Sequence, residues 1–209
     1  MESVRLMGVA LDLRGPASSD EAALVEELKA GSEEAFVYLL AVYQNPVYNL
    51  ICHMIGGQSE AADVLQNVFL KVLRGICHFN GNSTLKTWIY RIAVHEASNH
   101  RRSWGRRLFH EPFSMDDESM QPRVYAAAST RERESPYRVY EQAERQQEVE
   151  RAVASLAQPY RAVVVLRDVE DFSYEEIAQV LGIAEGTVKS RLRRGRELLK
   201  RKLKAQLSR

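Results

Sequence analysis

Ser173-Tyr174-Glu175-Glu176-Ile177-Ala178-Gln179-Val180-Leu181-Gly182-Ile183-Ala184-Glu185-Gly186-Thr187-Val188-Lys189-Ser190-Arg191-Leu192 is the stretch whose reading decides the fold. Ser173 and Glu176 have the spacing of a capping box, in which the hydroxyl accepts from the backbone of residue 176 and the carboxylate reaches back to the amide of residue 173. Ile177, Ala178, Val180 and Leu181 then predict a short helix. Gly182, which takes positive φ at no steric cost, stops it, and a second helix is predicted from about Glu185. Two helices joined by a short glycine-containing turn make a helix-turn-helix. Small Ala178 permits close approach, and Val188 locks the second helix to the first. Along that second helix Val188, Leu192, Gly195 and Leu199 share an inward face, while Thr187, Ser190, Arg191 and Arg194 share another. Lys189, Arg193, Arg196 and Lys200 flank them. Hydrogen-bonding groups on one face with cations beside it are what reading base edges and holding phosphates requires. A solvated basic helix is the competing reading.

Outward from this motif, charge is segregated. The chain has 209 residues with 29 Lys and Arg against 28 Asp and Glu, a net charge of +1. Residues 186–209 nevertheless hold ten bases against Glu197, and residues 91–110 hold five arginines against Glu96. Residues 1–70 hold ten acids against three bases, and 111–150 ten acids against five bases. Alternating blocks point to two basic surfaces able to meet a polyanion, separated by acidic stretches that avoid it. By charge alone, nucleic-acid binding stands level with ordinary solvated helix faces, and a membrane surface could also take the terminal basic helix.

The rest of the chain is patterned as helix. Asp20 caps a helix through Leu24, Val25 and Leu28 to Gly31. Ser32 caps another through Phe36, Leu39, Leu40 and Tyr43 that is expected to end at Asn45-Pro46, with Val47 to Ile55 resuming as far as Gly56-Gly57. A third begins near Ser59, with Leu65, Val68, Phe69, Val72, Leu73 and Ile76 on one stripe. Phe79 to Thr84 reads as a polar loop, and Thr84 caps a helix carrying Leu85, Trp88, Ile89, Ile92 and Ala93 that ends among Arg101 to Arg107. Periodicity fades from about Ser103 to Arg138, where Pro112, Pro122 and Pro136 accompany Asp116-Asp117-Glu118, so this is read as a linker. Helical pattern returns from Tyr140 through Val149, Val153 and Leu156, and again from Pro159 through Val163, Val164 and Leu166. The fold class is therefore all-α: two small helical domains on a flexible linker, at 20–105 and 140–209, with 1–19 an extension and 106–139 the linker.

Catalytic chemistry finds no motif: no P-loop, GxSxG, HExxH or cysteine-rich metal pattern occurs. Cys52-His53 and Cys77-His78 are adjacent pairs, and neighbours on a helix diverge by about 100°, so structural thiols and ordinary histidines are favoured over a metal site. No catalytic residue, cofactor or metal is expected. Two cysteines in no CxxC pair suit a reducing cytoplasm, and no apolar run is long enough to span a bilayer.

Ser173 to Leu199, with Gly186-Thr187-Val188-Lys189-Ser190-Arg191-Leu192, resembles the minus-35 promoter-reading region of bacterial sigma factors. In the N-terminal half, Asp63-Val64-Leu65-Gln66-Asn67-Val68-Phe69-Leu70, Phe79-Asn80-Gly81-Asn82-Ser83 and Thr87-Trp88-Ile89-Tyr90-Arg91-Ile92-Ala93 resemble, in order and spacing, the second conserved region of extracytoplasmic-function sigma factors of the sigma-70 family. The resemblance implies a non-enzymatic initiation factor that binds core RNA polymerase, through its beta and beta' subunits, and promoter DNA. It implies docking on polymerase through Asp63, Gln66, Asn67, Phe69 and Leu70, with simple core packing favoured for at least one of Phe69 and Leu70. It implies minus-10 recognition and melting by Phe79, Asn80, Asn82, Ser83, Thr84, Trp88, Arg91, His95, Asn99, Arg101 and Arg102, with Trp88 read rather as core. It implies minus-35 recognition by Thr187, Lys189, Ser190, Arg191, Arg193 and Arg194. An anti-sigma factor as partner is expected from the family too. Asn67 stands where relatives commonly carry a carboxylate, His95 where they often carry Asn, and Ala184 where they often carry Ser. A stand-alone helix-turn-helix regulator is the alternative, for which an α/β receiver domain would have spoken; a protein-binding adaptor would leave the basic helix unexplained.

Overall fold

The computed structural model describes the backbone of residues 19–110 and 136–207, and the side chains of 20–102 and 145–204. Residues 1–18 of the expected extension at 1–19 and the acidic segment Asp116-Asp117-Glu118 lie outside the described residues, within which there is no strand. Helix α1 spans Ser19–Lys29, with Asp20 inside its first turn rather than capping it. Helix α2 spans Glu33–Ile55; the Ser32 hydroxyl accepts from Ala35 N at 3.2 Å, and Gly56 closes the helix at φ 82°. Pro46 does not end this helix, contrary to expectation. The buried face runs without a break through Ala35, Leu39, Tyr43, Val47, Leu50, Ile51 and Met54, and its packing outweighs the one backbone hydrogen bond that proline removes.

Helix α3 spans Ala61–Gly75 and buries Val64, Val68, Phe69 and Val72, while Leu73, expected on that stripe, is 48% exposed. A 3-10 turn at Ile76–His78 leads into the polar loop. Helix α4 spans Leu85–His110, beyond the expected end at Arg101 to Arg107, because nothing in the sequence breaks it before Pro112. It buries Leu85, Ile89, Ala93 and Val94 and packs on α2 and α3, which closes the first domain, while its buried Tyr90 reaches the second.

Helix α5 spans Pro136–Ala154 and starts before the expected Tyr140, with Pro136 at the first helical position, where its fixed φ suits a helix start. Val149, expected inward, is exposed. Helix α6 spans Gln158–Val164 and passes into a π-type turn at Val165–Val169 that the apolar pattern does not announce. Helix α7 spans Tyr174–Leu181 and helix α8 spans Glu185–Leu207. Gly195 is where α8 crosses α6: a Cβ there would lie 2.7 Å from Val164 Cγ2.

The two domains pack on each other, chiefly through α4 against α7 and α2 against α5. Phe172, fully buried, sits 4.7 Å ring to ring from Tyr90 with the Lys86 ammonium 4.2 Å from its own ring. Tyr90 donates to Glu170 Oε2 at 2.7 Å, and Gln158 donates to the Ser98 hydroxyl at 2.7 Å.

Candidate nucleic-acid and polymerase interfaces

In the helix-turn-helix the capping box is present in both directions. Ser173 Oγ accepts from Glu176 N at 3.1 Å, and Glu176 Oε2 accepts from Ser173 N at 2.7 Å. Gly182 adopts φ 64°, which lets Ile183 N reach Ala178 O at 3.1 Å and turns the chain into α8. At the α8 start the Ala184 carbonyl accepts from Thr187 N and Val188 N, in a position where Ala supplies no side-chain cap. Val188 and Leu192 are buried, so the opposite face is held toward solvent. Lys189, Ser190, Arg193 and Arg194 are exposed and Thr187 and Arg191 half-buried, all on that outer side. Lys189 lies 3.9 Å from Glu185, and Arg193 and Arg194 lie 3.9 Å and 3.7 Å from Glu197. These exposed pairs are weak enough to exchange for phosphate. Arg196 differs from the other flanking cations. Its guanidinium grips both carboxylate oxygens of Asp168, which raises its pKa and ties α8 to the π-turn, so it is a structural arginine.

The polar loop is built around Gly81 at φ 74°, with Asn80 Oδ1 accepting from Asn82 N at 3.3 Å. Asn80 and Asn82 are exposed, and Ser83 and Thr84 half-buried. Thr84 caps α4 as expected, its hydroxyl accepting from Thr87 N at 3.1 Å. Phe79 is buried against Trp88, rings 5.3 Å apart, so it supports the loop from beneath. Trp88 is half-buried over Gly75, whose hydrogen leaves room for the indole: a Cβ would lie 3.3 Å from Cζ2. Further along α4, His95, Asn99 and Arg102 form a string at i, i+4 and i+7, with Asn99 Nδ2 3.1 Å from His95 Nδ1 and Arg102 donating to Asn99 Oδ1 at 2.8 Å. Desolvation pulls the Glu96 carboxyl upward, but hydrogen bonds with Lys71 and His95 outweigh it and hold its pKa below the usual range.

Of two expected minus-10 arginines, one is bonded to the second domain and the other partly withdrawn from solvent. Arg91 donates through Nε and Nη2 to Gln179 O in α7, at 3.1 Å and 2.8 Å. Arg101 is half-buried, with Nη1 shielded from solvent and without a hydrogen-bond partner, and burial lowers its pKa. Helix periodicity places Arg91 on an outer face, where it remains exposed, but the second-domain carbonyl beside it is invisible to periodicity.

On α3, Asp63, Gln66, Asn67 and Leu70 are exposed along one side and Phe69 is 7% exposed in the core. Leu73, one turn beyond Leu70, extends the apolar part of this strip. Cys77 Sγ lies 3.0 Å from His78 Nδ1, so this pair does meet, contrary to the divergence expected of helical neighbours; the 3-10 turn brings them together. Among the described residues no three His, Cys, Asp or Glu groups gather as metal ligands, and no helix is long and apolar enough to cross a membrane.

The residue that sequence reasoning misses altogether is Arg161, fully buried, which donates to Met54 O at 2.7 Å, Leu156 O at 3.0 Å and Val153 O at 3.1 Å. Its only sequence signal is a lone cation opening an apolar run.

Comparison with known proteins agrees with this geometry. Residues 39–107 match the family described as Sigma-70 region 2, and residues 146–199 match Sigma-70, region 4. The RNA polymerase sigma-H factor of Pseudomonas aeruginosa is 34% identical over 184 residues, covering 88% of this chain and 94% of that protein. The ECF RNA polymerase sigma-E factor of Escherichia coli K12 is 33% identical over 187 residues, covering 89% and 95%. Among solved structures, CnrH in complex with the cytosolic domain of CnrY shares the fold with TM-score 0.63 at 20% identity, covering 88% of this chain and 97% of that one. The sigma factor RpoE in complex with the anti-sigma factor NepR from Bartonella quintana does so with TM-score 0.62 at 24% identity, covering 81% and 96%. With both regions present, in order, on a helical pair of domains and across nearly the full length of its relatives, the chain belongs to the sigma-70 family and, within it, to the extracytoplasmic-function RNA polymerase sigma factors.

Proposed function

We propose that this sigma factor divides promoter recognition between the two surfaces described above. As a member of its family it directs core RNA polymerase to promoters and supports initiation there. In the proposed division, a domain running to the end of α4 docks on polymerase and opens minus-10 DNA, and a domain beginning with α5 reads the minus-35 duplex, across a linker of 111–135, shorter than the expected 106–139. The observation that carries this is the outward face of α8: Lys189, Ser190, Arg193 and Arg194 are exposed, with Thr187 and Arg191 half-buried beside them, because Val188 and Leu192 are buried behind. Asp63, Gln66, Asn67 and Leu70 supply the polymerase contact, and Asn80, Asn82, Ser83, His95, Asn99 and Arg102 meet the melted strand. A base swung out of the stack is held by hydrogen bonds and close packing, for which exposed amide side chains over an aromatic floor are suited.

RNA synthesis belongs to the polymerase, and the chain itself needs no catalytic group or cofactor. It acts in the cytoplasm. Two relatives of known structure are held by a partner, CnrH by the cytosolic domain of CnrY and RpoE by the anti-sigma factor NepR, and an anti-sigma partner is proposed here by that analogy.

Run-off transcription with purified core polymerase tests the reading. Adding the chain is expected to yield promoter-specific transcript from a promoter library, and Arg194→Ala to lower output from matched minus-35 sequences about tenfold, the loss of one good base contact. Operator binding without core polymerase, and no specific transcript with it, would favour the stand-alone regulator.

A further inference from the structure

The loop Phe79–Thr84 hangs between two stems, the 3-10 turn that precedes it and the first turn of α4 that follows. Helix α1 touches both. It packs against Ile76–His78, and Glu21 Oε1 accepts from Leu85 N at 2.9 Å, at the first residue of α4. Leu24, Val25 and Leu28 pack α1 onto the core, and Glu21 itself is 3% exposed. The helix precedes the stretch matching region 2, which begins at residue 39.

A buried carboxylate is costly unless hydrogen bonded, and an apolar side chain would fill the same space without that cost. What the carboxylate adds is direction. The first amides of α4 have no intrahelical acceptor; Glu21 serves Leu85 and Thr84 serves Thr87, and a negative group at this helix end is further favoured by the dipole. Both ends of the loop are thereby referenced to one rigid helix. Asn80, Asn82 and Ser83 stand between them, so their position relative to α4 depends on where Glu21 holds its N-terminus.

We propose that Glu21 is a positioning residue for minus-10 recognition: through α1 it fixes the first turn of α4 and so the height and angle at which the loop meets an unstacked base. This rests on the reading above that the loop receives that base.

The experiment uses the full chain assembled with core polymerase and measures binding of single-stranded minus-10 oligonucleotides, each base substituted in turn. Glu21→Ala is expected to reduce discrimination between preferred and substituted bases by about three- to tenfold, the ratio corresponding to one lost capping bond, with core affinity and minus-35 dependence unchanged. Glu21→Gln, which keeps an acceptor oxygen, is expected to retain most of the discrimination. Leu28→Ala, the packing control, is expected to lower the melting temperature and leave base discrimination intact. A Glu21→Ala protein that melts lower yet discriminates like the parent overturns the inference, because the residue is then only structural. If that variant does not fold, Glu21→Asp decides in its place: its acceptor is one methylene short, and parental discrimination there overturns the inference equally. Asn82→Ala separates the two levels. If it flattens discrimination and the Glu21 variants do not, the loop reading stands and the inference alone fails; if it changes nothing, the loop reading fails and takes the inference with it.

Discussion

Arg161 carries its charge into the core and donates there to three backbone carbonyls. Its three acceptors explain how: Met54 lies in the last turn of α2, and Val153 and Leu156 lie at or just past the end of α5, so the guanidinium sits at the negative ends of two helix dipoles. Gly56 crowds the same spot, a Cβ there lying 3.3 Å from that of Ala154. Arg161→Met fills comparable space but takes the side-chain donor from the Met54 and Leu156 carbonyls, Val153 O keeping Leu156 N, and is expected to cost roughly 1–3 kcal/mol in urea denaturation; an unchanged midpoint would show that water satisfies them. Nothing near Arg161 in the sequence names Met54, which is 107 residues away. By contrast Ser173, Glu176 and Gly182 are legible, because a capping box and a positive-φ turn are made by residues within one turn of each other.

At the scale of elements, stripes of apolar residues locate nearly every helix, and their failures share a cause. Pro46 reads as an end because propensity is local, whereas the continuity of α2 comes from a buried face shared with α3 and α4. Leu73 reads as buried because the apparent stripe of α3 is one residue too wide, and its exposure becomes visible only once α4 covers one side of α3. Gly195 does face inward, but its role is sharper than absence of bulk. With only 2.7 Å between the place an added methyl would take and Val164 Cγ2, Gly195→Ala must push α8 off α6 and is expected to destabilise the second domain by about 1–3 kcal/mol despite the better helix propensity of alanine. Thermal melting of the variant checks this; a gain in stability would mean that Val164 yields freely.

At the scale of the whole molecule, the contact between domains engages polar groups of α4 with α7 and with the turn before it. While Arg91 donates to Gln179 O, its Nε and Nη2 are committed to the packing of the domains and cannot at the same time serve a base or phosphate. Glu170 in the same contact has its carboxyl pKa raised by burial, with the Tyr90 hydroxyl and Lys86 pulling it partly back. A raised folded-state value means that the stabilisation is fully present below the ordinary carboxylate range and fades as pH rises through the raised value. Glu170→Gln, neutral throughout, is expected to remove this dependence: parent and variant denaturation midpoints should converge near about pH 4 and separate toward about pH 8, with the variant the more stable. Parallel curves would show that Glu170 does not titrate in the contact.

The sequence by itself determined the helical class, the helix-turn-helix with its outward face, the polar loop and the pairing of two regions that marks the family. Each depends on residues within a few turns of one another, where cap chemistry and periodicity act. Tertiary structure alone decided that Phe79 is core, that of Phe69 and Leu70 it is Phe69 that is buried, that Arg196 is held by Asp168, that Arg91 donates to the second domain and Arg101 is partly withdrawn from solvent, and that Glu21 accepts from Leu85 N, 64 residues away. A buried polar group chooses its partner by three-dimensional proximity and the cost of going unpaired, and neither quantity is written in the spacing of residues along the chain.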